Sequence, residues 1–208
     1  MLFKRKCQIT FIAHGATIYT EENRICDKES HPPLNEVGQN EADKIARWIV
    51  KRSPNIDKIY TGSSLSCIQT ATAVAKEYEQ EFEIYPELYN QDFGIWKGLN
   101  YTEIEERYPE MLQKYHEYTS SYAPEGGETL LQFGERVNNT VNKLIEDNLM
   151  KRIIVVTHSN FVRAAIRNAI CTPVEYQNRV FVPTGSASQI KYYTDWNILM
   201  YSGHVPLS

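Results

Sequence analysis

Cysteine is scarce in this sequence, and its distribution excludes two common kinds of site. The cysteines are Cys7, Cys26, Cys67 and Cys171, widely scattered and with no C-x-x-C pair. This spacing offers no zinc site and is typical of a protein from a reducing compartment, where disulfides are rare. We therefore expect a cytoplasmic protein that requires no metal ion and no other cofactor.

Positive charge and long hydrophobic runs are scarce as well. The net charge of -4 argues against a nucleic-acid surface, because binding to a phosphate backbone requires clustered lysine and arginine. The basic cluster Lys4-Arg5-Lys6 precedes an apolar run of strand length that is too short to span a membrane. The sequence therefore predicts neither nucleic acid nor a membrane as a partner.

The overall composition is ordinary for a globular protein. Hydrophobic residues make up 42% and charged residues 23% of the 208 residues, which argues against extended disorder. A chain of this length can bury one substantial core. We expect a single domain over residues 1–208.

Two stretches of the chain share one pattern, an apolar strand that ends in a histidine. Residues 7–13 lead into His14 and Gly15, and the apolar residues 153–156 lead through Thr157 into His158. Strands covered on both faces are continuous apolar runs, and ligands of open α/β sheets bind beyond the carboxyl ends of such strands. The pattern therefore predicts that His14 and His158 lie together at one edge of a sheet.

The remaining segments alternate between helical and strand patterns. We predict helices over 36–53 with Asn35 as N-cap, 65–79, 101–119 with an interruption at Pro109, after the cap Thr129, and 159–169. We predict strands over 56–60 and 82–85, a hairpin of 189–193 with 197–201, and a long loop from Thr17 to Pro33. This alternation is typical of an α/β fold, a three-layer αβα sandwich with a mostly parallel central sheet.

The stretch around His14 resembles the R-H-G-x-T signature of the histidine phosphatase superfamily, the phosphoglycerate mutase-like enzymes. The stretch around His158 resembles the second histidine motif of that family. Further segments that resemble the family in the same order begin at Pro33, Thr61, Leu88 and Pro124. The resemblance therefore covers most of the chain and implies a phosphoglycerate mutase-like domain.

The resemblance also implies a mechanism, and this sequence departs from it at three positions. In the family the first histidine becomes a phosphohistidine, the second histidine and two arginines hold the phosphoryl oxygens, and a carboxylic acid protonates the leaving alcohol. Here the arginine positions are Ala13 and Ser66, and the acid position is Asn90. Phosphoryl transfer depends on positive charge around the equatorial oxygens, so the missing arginines predict weak activity.

The resemblance assigns His14 and His158 to catalysis. The predicted substrate-binding residues are Gly15, Thr17, Ser63, Ser66, Asn90, Ser159 and Asn160. The helix that begins near Ser159 can offer its first N–H groups to an anion. Whether Arg24, Lys97 or Arg163 replaces the missing arginines stays open, although a surface position is the usual one for such side chains.

Three functions stay open from the sequence. The first is a phosphomonoesterase that works through His14 on a small, phosphorylated molecule. The second is a repurposed enzyme in which the two imidazoles perform acid-base chemistry on an uncharged substrate, and the third is an inactive relative that binds a small molecule or a protein. Residues 100–127 are either a lid above the site or an ordinary surface segment, and a homodimer is an open alternative to a monomer.

Overall fold

The computed structural model describes residues 4–26 and 32–206. Its strands are Arg5–Ala13 (β1), Lys58–Thr61 (β2), Glu83–Ile84 (β3), Arg152–Thr157 (β4), Ala187–Tyr193 (β5) and Asn197–His204 (β6). Its α-helices are Ile18–Glu21 (α1), Glu36–Arg52 (α2), Leu65–Tyr78 (α3), Tyr101–Arg107 (α4), Pro109–Glu117 (α5), Leu130–Asp147 (α6) and Ser159–Ala169 (α7). Short 3-10 helices cover Gly94–Trp96 and Val174–Arg179.

The strands form one sheet in the order β3-β2-β4-β1-β5-β6. Strands β3, β2, β4 and β1 are parallel to one another, whereas β5 pairs antiparallel with β1 and β6 pairs antiparallel with β5. In the register of β1 with β4, Ala13 lies opposite Thr157. The residue that follows each strand is a histidine, so this pairing brings His14 and His158 to the same edge of the sheet.

Helices cover both faces of this sheet. Helices α6 and α7 pack on one face and α2 and α3 on the other, each through a cluster of buried side chains. Strand β4 lies between them, and its residues 153–156 are at most 1% exposed. The four consecutive branched residues of β4 are thus explained by burial on both sides, as parallel strands require. The three-layer αβα sandwich with a mostly parallel sheet is confirmed.

The predicted helix starts are confirmed by their caps. The Asn35 side chain accepts a hydrogen bond from the backbone N–H of Gly38 at the start of α2, and Thr129 forms a capping box with Gln132 at the start of α6. A capping side chain satisfies one of the N–H groups that a helix leaves unpaired at its first turn. The interruption at Pro109 is confirmed as well, because Pro109 is the first residue of α5.

The predicted loop from Thr17 to Pro33 is wrong at its beginning. Thr17 caps the four-residue helix α1 through a reciprocal pair of hydrogen bonds with Thr20. Two hydroxyl groups take the place of the Ser/Thr and Glu pair of the usual capping box, so the sequence lacks the usual signal for a helix start. A helix of four residues is also too short to show the apolar period that would reveal it. Residues 27–31 of the predicted loop lie outside the described residues.

Helices α4 and α5 pack into a cluster of their own, separate from the two large cores. Trp96, Ile104 and Leu112 are its buried members. The loop that contains α1 contacts this region, because backbone hydrogen bonds join Ile25 with Leu99 and Gly98. Across residues 4–26 and 32–206, no helix has both the length and the apolar character needed to cross a membrane.

Candidate active site

His14 and His158 lie side by side at the carboxyl ends of β1 and β4. Their ring centroids are 4.9 Å apart and the ring planes are nearly perpendicular. The backbone N–H of His14 donates to the carbonyl of Thr157 at 3.0 Å, so the sheet hydrogen bonding continues to the site itself. Both side chains are buried, with 7% and 3% of their surface exposed. The two imidazoles can therefore act on one small ligand.

One hydrogen bond determines the tautomer of His14. Its Nδ1 lies 2.8 Å from the carbonyl oxygen of Gly15, and since a carbonyl only accepts, we assign the ring proton to Nδ1. Nε2 then carries the lone pair. Burial lowers the pKa of His14, while the hydrogen bond to Gly15 opposes that shift. At neutral pH the ring is accordingly neutral, with its lone pair at Nε2.

Three elements hold the backbone that follows His14. The N–H of Gly15 donates to Thr70 Oγ1 of α3 at 3.2 Å, and the N–H of Ala16 donates to the Glu41 carboxylate of α2 at 2.8 Å. The carbonyl of His14 accepts from the N–H of Gly185, just before β5, at 3.1 Å. Hydrogen bonds from three separate parts of the fold thus hold the loop and the His14 side chain that it carries in one position.

His158 is the N-cap residue of α7, and its side chain makes no capping hydrogen bond. The N–H groups of the first turn of α7 therefore provide a positive helix end next to the imidazole. Ser159 and Asn160 are partly buried at this end. The Asn160 side chain accepts a hydrogen bond from Arg163 at 2.8 Å. This helix start is the feature of the site best suited to an anion.

One side chain from the first turn of α3, Cys67, contacts His158. Cys67 Sγ lies 3.9 Å from His158 Nε2. Ser66 is 1% exposed, and its hydroxyl lies 3.4 Å from that of Ser64. Ser66 was among the predicted site residues, whereas the contact of Cys67 was not predicted, because it depends on how α3 packs against β4.

Asn90 belongs to a segment that crosses the same edge of the sheet. The carbonyl of Leu88 in this segment accepts a hydrogen bond from the hydroxyl of Thr157 at 2.9 Å. Asn90 Nδ2 donates to the carbonyl of Cys26 at 2.6 Å, and its Oδ1 is buried without a partner among the described residues. An amide at this position cannot donate a proton to a leaving alcohol.

Arg136 fixes this segment from α6. Its guanidinium forms two hydrogen bonds with the Glu128 carboxylate, donates to the carbonyl of Asn90 at 3.0 Å, and lies 3.6 Å from the ring centre of Tyr89. Such a bidentate, stacked arginine is rigid. Asn90 is therefore held in place by tertiary contacts that cannot be predicted from the sequence around it.

Two of the predicted binding residues have other surroundings. The Thr17 hydroxyl accepts a hydrogen bond from the N–H of Thr20 in the cap of α1, and Ser63 is exposed just before α3.

Three cations were candidates to replace the missing arginines. Arg24 donates to Glu22 and Glu103, Lys97 lies 4.0 Å from Asp92, and Arg163 donates to Asn160 and the carbonyl of Val180. The described residues contain no group of three or more histidine, cysteine or acidic side chains that could hold a metal ion.

Two curated relatives illustrate what this chain is similar to. A bifunctional protein of Mycobacterium tuberculosis is 26% identical over 188 residues, which cover 90% of this chain and 51% of the relative. The metal-independent phosphoserine phosphatase of Arabidopsis thaliana is 28% identical over 76% of this chain and 66% of its own length. The chain thus spans about half the length of the mycobacterial relative.

Solved structures share the fold at lower identity. The alpha-ribazole phosphatase from Shigella flexneri has a TM-score of 0.84 at 20% identity and covers 97% of this chain and 98% of its own. A phosphoserine phosphatase variant from Entamoeba histolytica, solved with phosphoserine, has a TM-score of 0.85 at 16% identity, covering 96% of this chain and 98% of its own. The profile of the histidine phosphatase superfamily (branch 1) matches residues 9–202. The chain therefore belongs to the histidine phosphatase superfamily.

Proposed function

We propose that this protein hydrolyses small phosphomonoesters slowly, through a phosphohistidine at His14. The observation that carries the proposal is the hydrogen bond between His14 Nδ1 and the Gly15 carbonyl, which leaves Nε2 as the nucleophilic atom beside His158. Phosphatases among the relatives, including one named a phosphoserine phosphatase, support a phosphorylated substrate.

The proposed reaction has two steps. His14 Nε2 attacks phosphorus, a P–N bond forms, and the bond from phosphorus to the alcohol oxygen breaks. Water then attacks the phosphohistidine, which releases inorganic phosphate and restores the imidazole. His158 and the first N–H groups of α7 stabilise the phosphoryl oxygens during both steps, because the negative charge spreads over those oxygens.

The same site explains why the reaction is slow. Ala13 and Ser66 occupy the positions at which the family resemblance implies arginine, and both are fully buried. An arginine that stabilises a phosphoryl transition state is worth about a thousandfold or more in rate. Asn90 supplies no proton, so an alcohol with a high pKa leaves as an unfavourable alkoxide.

Acid-base chemistry on an uncharged substrate is the second candidate. The observation in its favour is the neutral surroundings of His158 on the side of α3, where the Cys67 thiol contacts the imidazole and the buried Ser64 and Ser66 hydroxyls lie close to Cys67 in the sequence. Surroundings of this kind do not select for an anion. An inactive relative that only binds a ligand is the remaining outcome.

Turnover of an aryl phosphate and trapping of a phosphoprotein test the proposal. We expect slow release of phosphate by the unchanged protein and none by His14→Ala, with an acid-labile phosphoprotein formed only when His14 is present. His204→Ala is the matched control, because His204 is an exposed histidine on β6, outside α4 and α5. Turnover that persists in His14→Ala, or the lack of any turnover and phosphoprotein, would contradict the proposal. Fast turnover that needs His14 would show that another cation has replaced the missing arginines.

We also propose that residues 1–208 work as one domain in which α4 and α5 form the lid of the site. The separate cluster around Trp96 and the hydrogen bonds from Ile25 to this region support the proposal. Binding of vanadate should then increase hydrogen-exchange protection in α4 and α5. Equal exchange with and without vanadate, at a concentration that saturates the site, would leave them as surface helices.

A further inference from the structure

Cys67 contacts His158, yet the family resemblance assigns no role to it. It lies in the first turn of α3, where its backbone N–H donates to the capping hydroxyl of Ser64 at 3.4 Å. Its side chain is 0% exposed. This anchoring holds Sγ at 3.9 Å from His158 Nε2, a distance compatible with a weak sulfur hydrogen bond.

Burial determines the protonation state of Cys67. Loss of solvation raises the pKa of the thiol to about 12, although the Ser64 hydroxyl opposes the shift. The thiol therefore keeps its proton at neutral pH and is neither a nucleophile nor a redox-active thiolate. What it offers to His158 is an S–H group, and a neutral imidazole has one nitrogen that can accept it.

We propose that Cys67 is a positioning residue for His158, and that its thiol donates to Nε2 and keeps the ring in the Nδ1–H tautomer. Which nitrogen of a histidine carries the proton is set by the partner of the other nitrogen. His158 then has a fixed ring orientation and one defined N–H donor. The proposed tautomer rests on this contact together with the protonated state of the buried thiol, whereas its importance for phosphoryl binding rests on the proposed function.

Nitrogen-15 NMR of the imidazole rings tests the tautomer directly, with His158→Gln to identify its signals. At a pH where the ring is neutral, we expect the Nδ1–H tautomer in the unchanged protein and in Cys67→Ser, which keeps a donor. In Cys67→Ala we expect a mixture of tautomers or a shift towards Nε2–H. Cys7→Ala is the matched control, because Cys7 is equally buried but packs in the core cluster on one face of the sheet.

Two results would overturn the inference. One is an Nε2–H tautomer of His158 in the unchanged protein, a measurement that needs no substitution at Cys67. The other is an unaltered tautomer in a Cys67→Ala protein that melts cooperatively. Neither result depends on phosphatase activity.

Vanadate binding and turnover separate this inference from the proposed function. If both hold, Cys67→Ala should weaken vanadate binding and raise KM for an aryl phosphate by about three- to tenfold, the effect of one weak hydrogen bond, and Cys67→Ser should restore both. A tautomer change without any turnover would contradict the phosphatase proposal and leave the inference standing. Turnover that needs His14, together with an unchanged His158 tautomer, would do the reverse.

Discussion

At the scale of single residues, the buried His14 couples protonation to folding. Burial lowers its pKa in the native protein, whereas the unfolded chain has the ordinary value of about 6.5. Above that pH both states are neutral, and the histidine contributes no pH dependence. As the pH falls through about 6.5, the unfolded state takes up a proton that the native state does not, so the free energy of unfolding decreases until the native pKa is reached.

We therefore expect His14→Gln to flatten the pH dependence of stability. Between about pH 7 and pH 5, the melting temperature of the unchanged protein should fall more steeply than that of the variant. Thermal melts across this range measure the difference, with His116→Gln as the control for loss of an exposed histidine. Parallel curves for the unchanged protein and His14→Gln would show that His14 does not resist protonation.

The histidines of the site were predictable from sequence, whereas the contact of Cys67 was not. His14 and His158 follow apolar strands, and the ends of neighbouring parallel strands necessarily meet. The contact between Cys67 and His158 joins a helix start to a strand end. No periodicity in the sequence records how closely those two elements approach. The hydrogen bonds of Arg24 with Glu103 and of Arg163 with the carbonyl of Val180 also join separate segments of the chain, so they could not be assigned in advance.

At the scale of elements, the site depends on how closely α2 approaches the loop after His14. A Cβ atom on Gly38 would lie 2.0 Å from the carbonyl oxygen of Ala16, and one on Gly15 would lie 2.2 Å from the carbonyl oxygen of Gly38. Both obstacles are backbone atoms, which cannot rotate away. Helix α2 and the loop can pack at this distance because both positions are glycine, which has no Cβ atom.

Gly38→Ala should therefore destabilise the protein by about 1–3 kcal/mol, despite the better helix propensity of alanine. Denaturant unfolding measures this loss. Gly134→Ala is the matched control, because it also lies inside a helix but its Cβ would meet the guanidinium group of Arg167, a side chain, instead of backbone atoms. An equal cost for the two substitutions would mean that the approach of α2 to the loop is not the cause.

Most elements were predictable because their signals are local. The apolar run of β4, the caps Asn35 and Thr129, and the break at Pro109 each appear in a few consecutive residues. Helix α1 was missed because four residues are too few for an apolar period, and only the hydroxyls of Thr17 and Thr20 define it.

At the scale of the whole molecule, the global stability should respond to phosphate once positive charge is restored. Ala13 and Ser66 are 0% and 1% exposed, so Ala13→Arg with Ser66→Arg would bury two cations, which costs several kcal/mol when no anion accompanies them. Without phosphate, we expect the double variant to have a lower melting temperature than the unchanged protein. When phosphate is added, its melting temperature should rise by more than that of the unchanged protein.

Melting curves over a series of phosphate concentrations measure this response. Ser63→Arg is the control, since it adds a cation at an exposed position near the same helix start. Ser66→Arg alone serves if the double variant does not fold. The same phosphate response in the control and the Ser66 variants would show that the added guanidinium does not reach a bound anion.

The strand order has a consequence for how the chain is made. Strand β1 precedes its neighbours in the sheet, β4 and β5, by more than a hundred residues. At translation rates of about 5–20 residues per second, several seconds or longer pass between the synthesis of β1 and that of the strands that cover its edges. His14 thus leaves the ribosome long before the strand that carries His158. A chain halted before β4 presents an unpaired hydrophobic strand and only one of the two histidines of the candidate site, which makes it a target for chaperones.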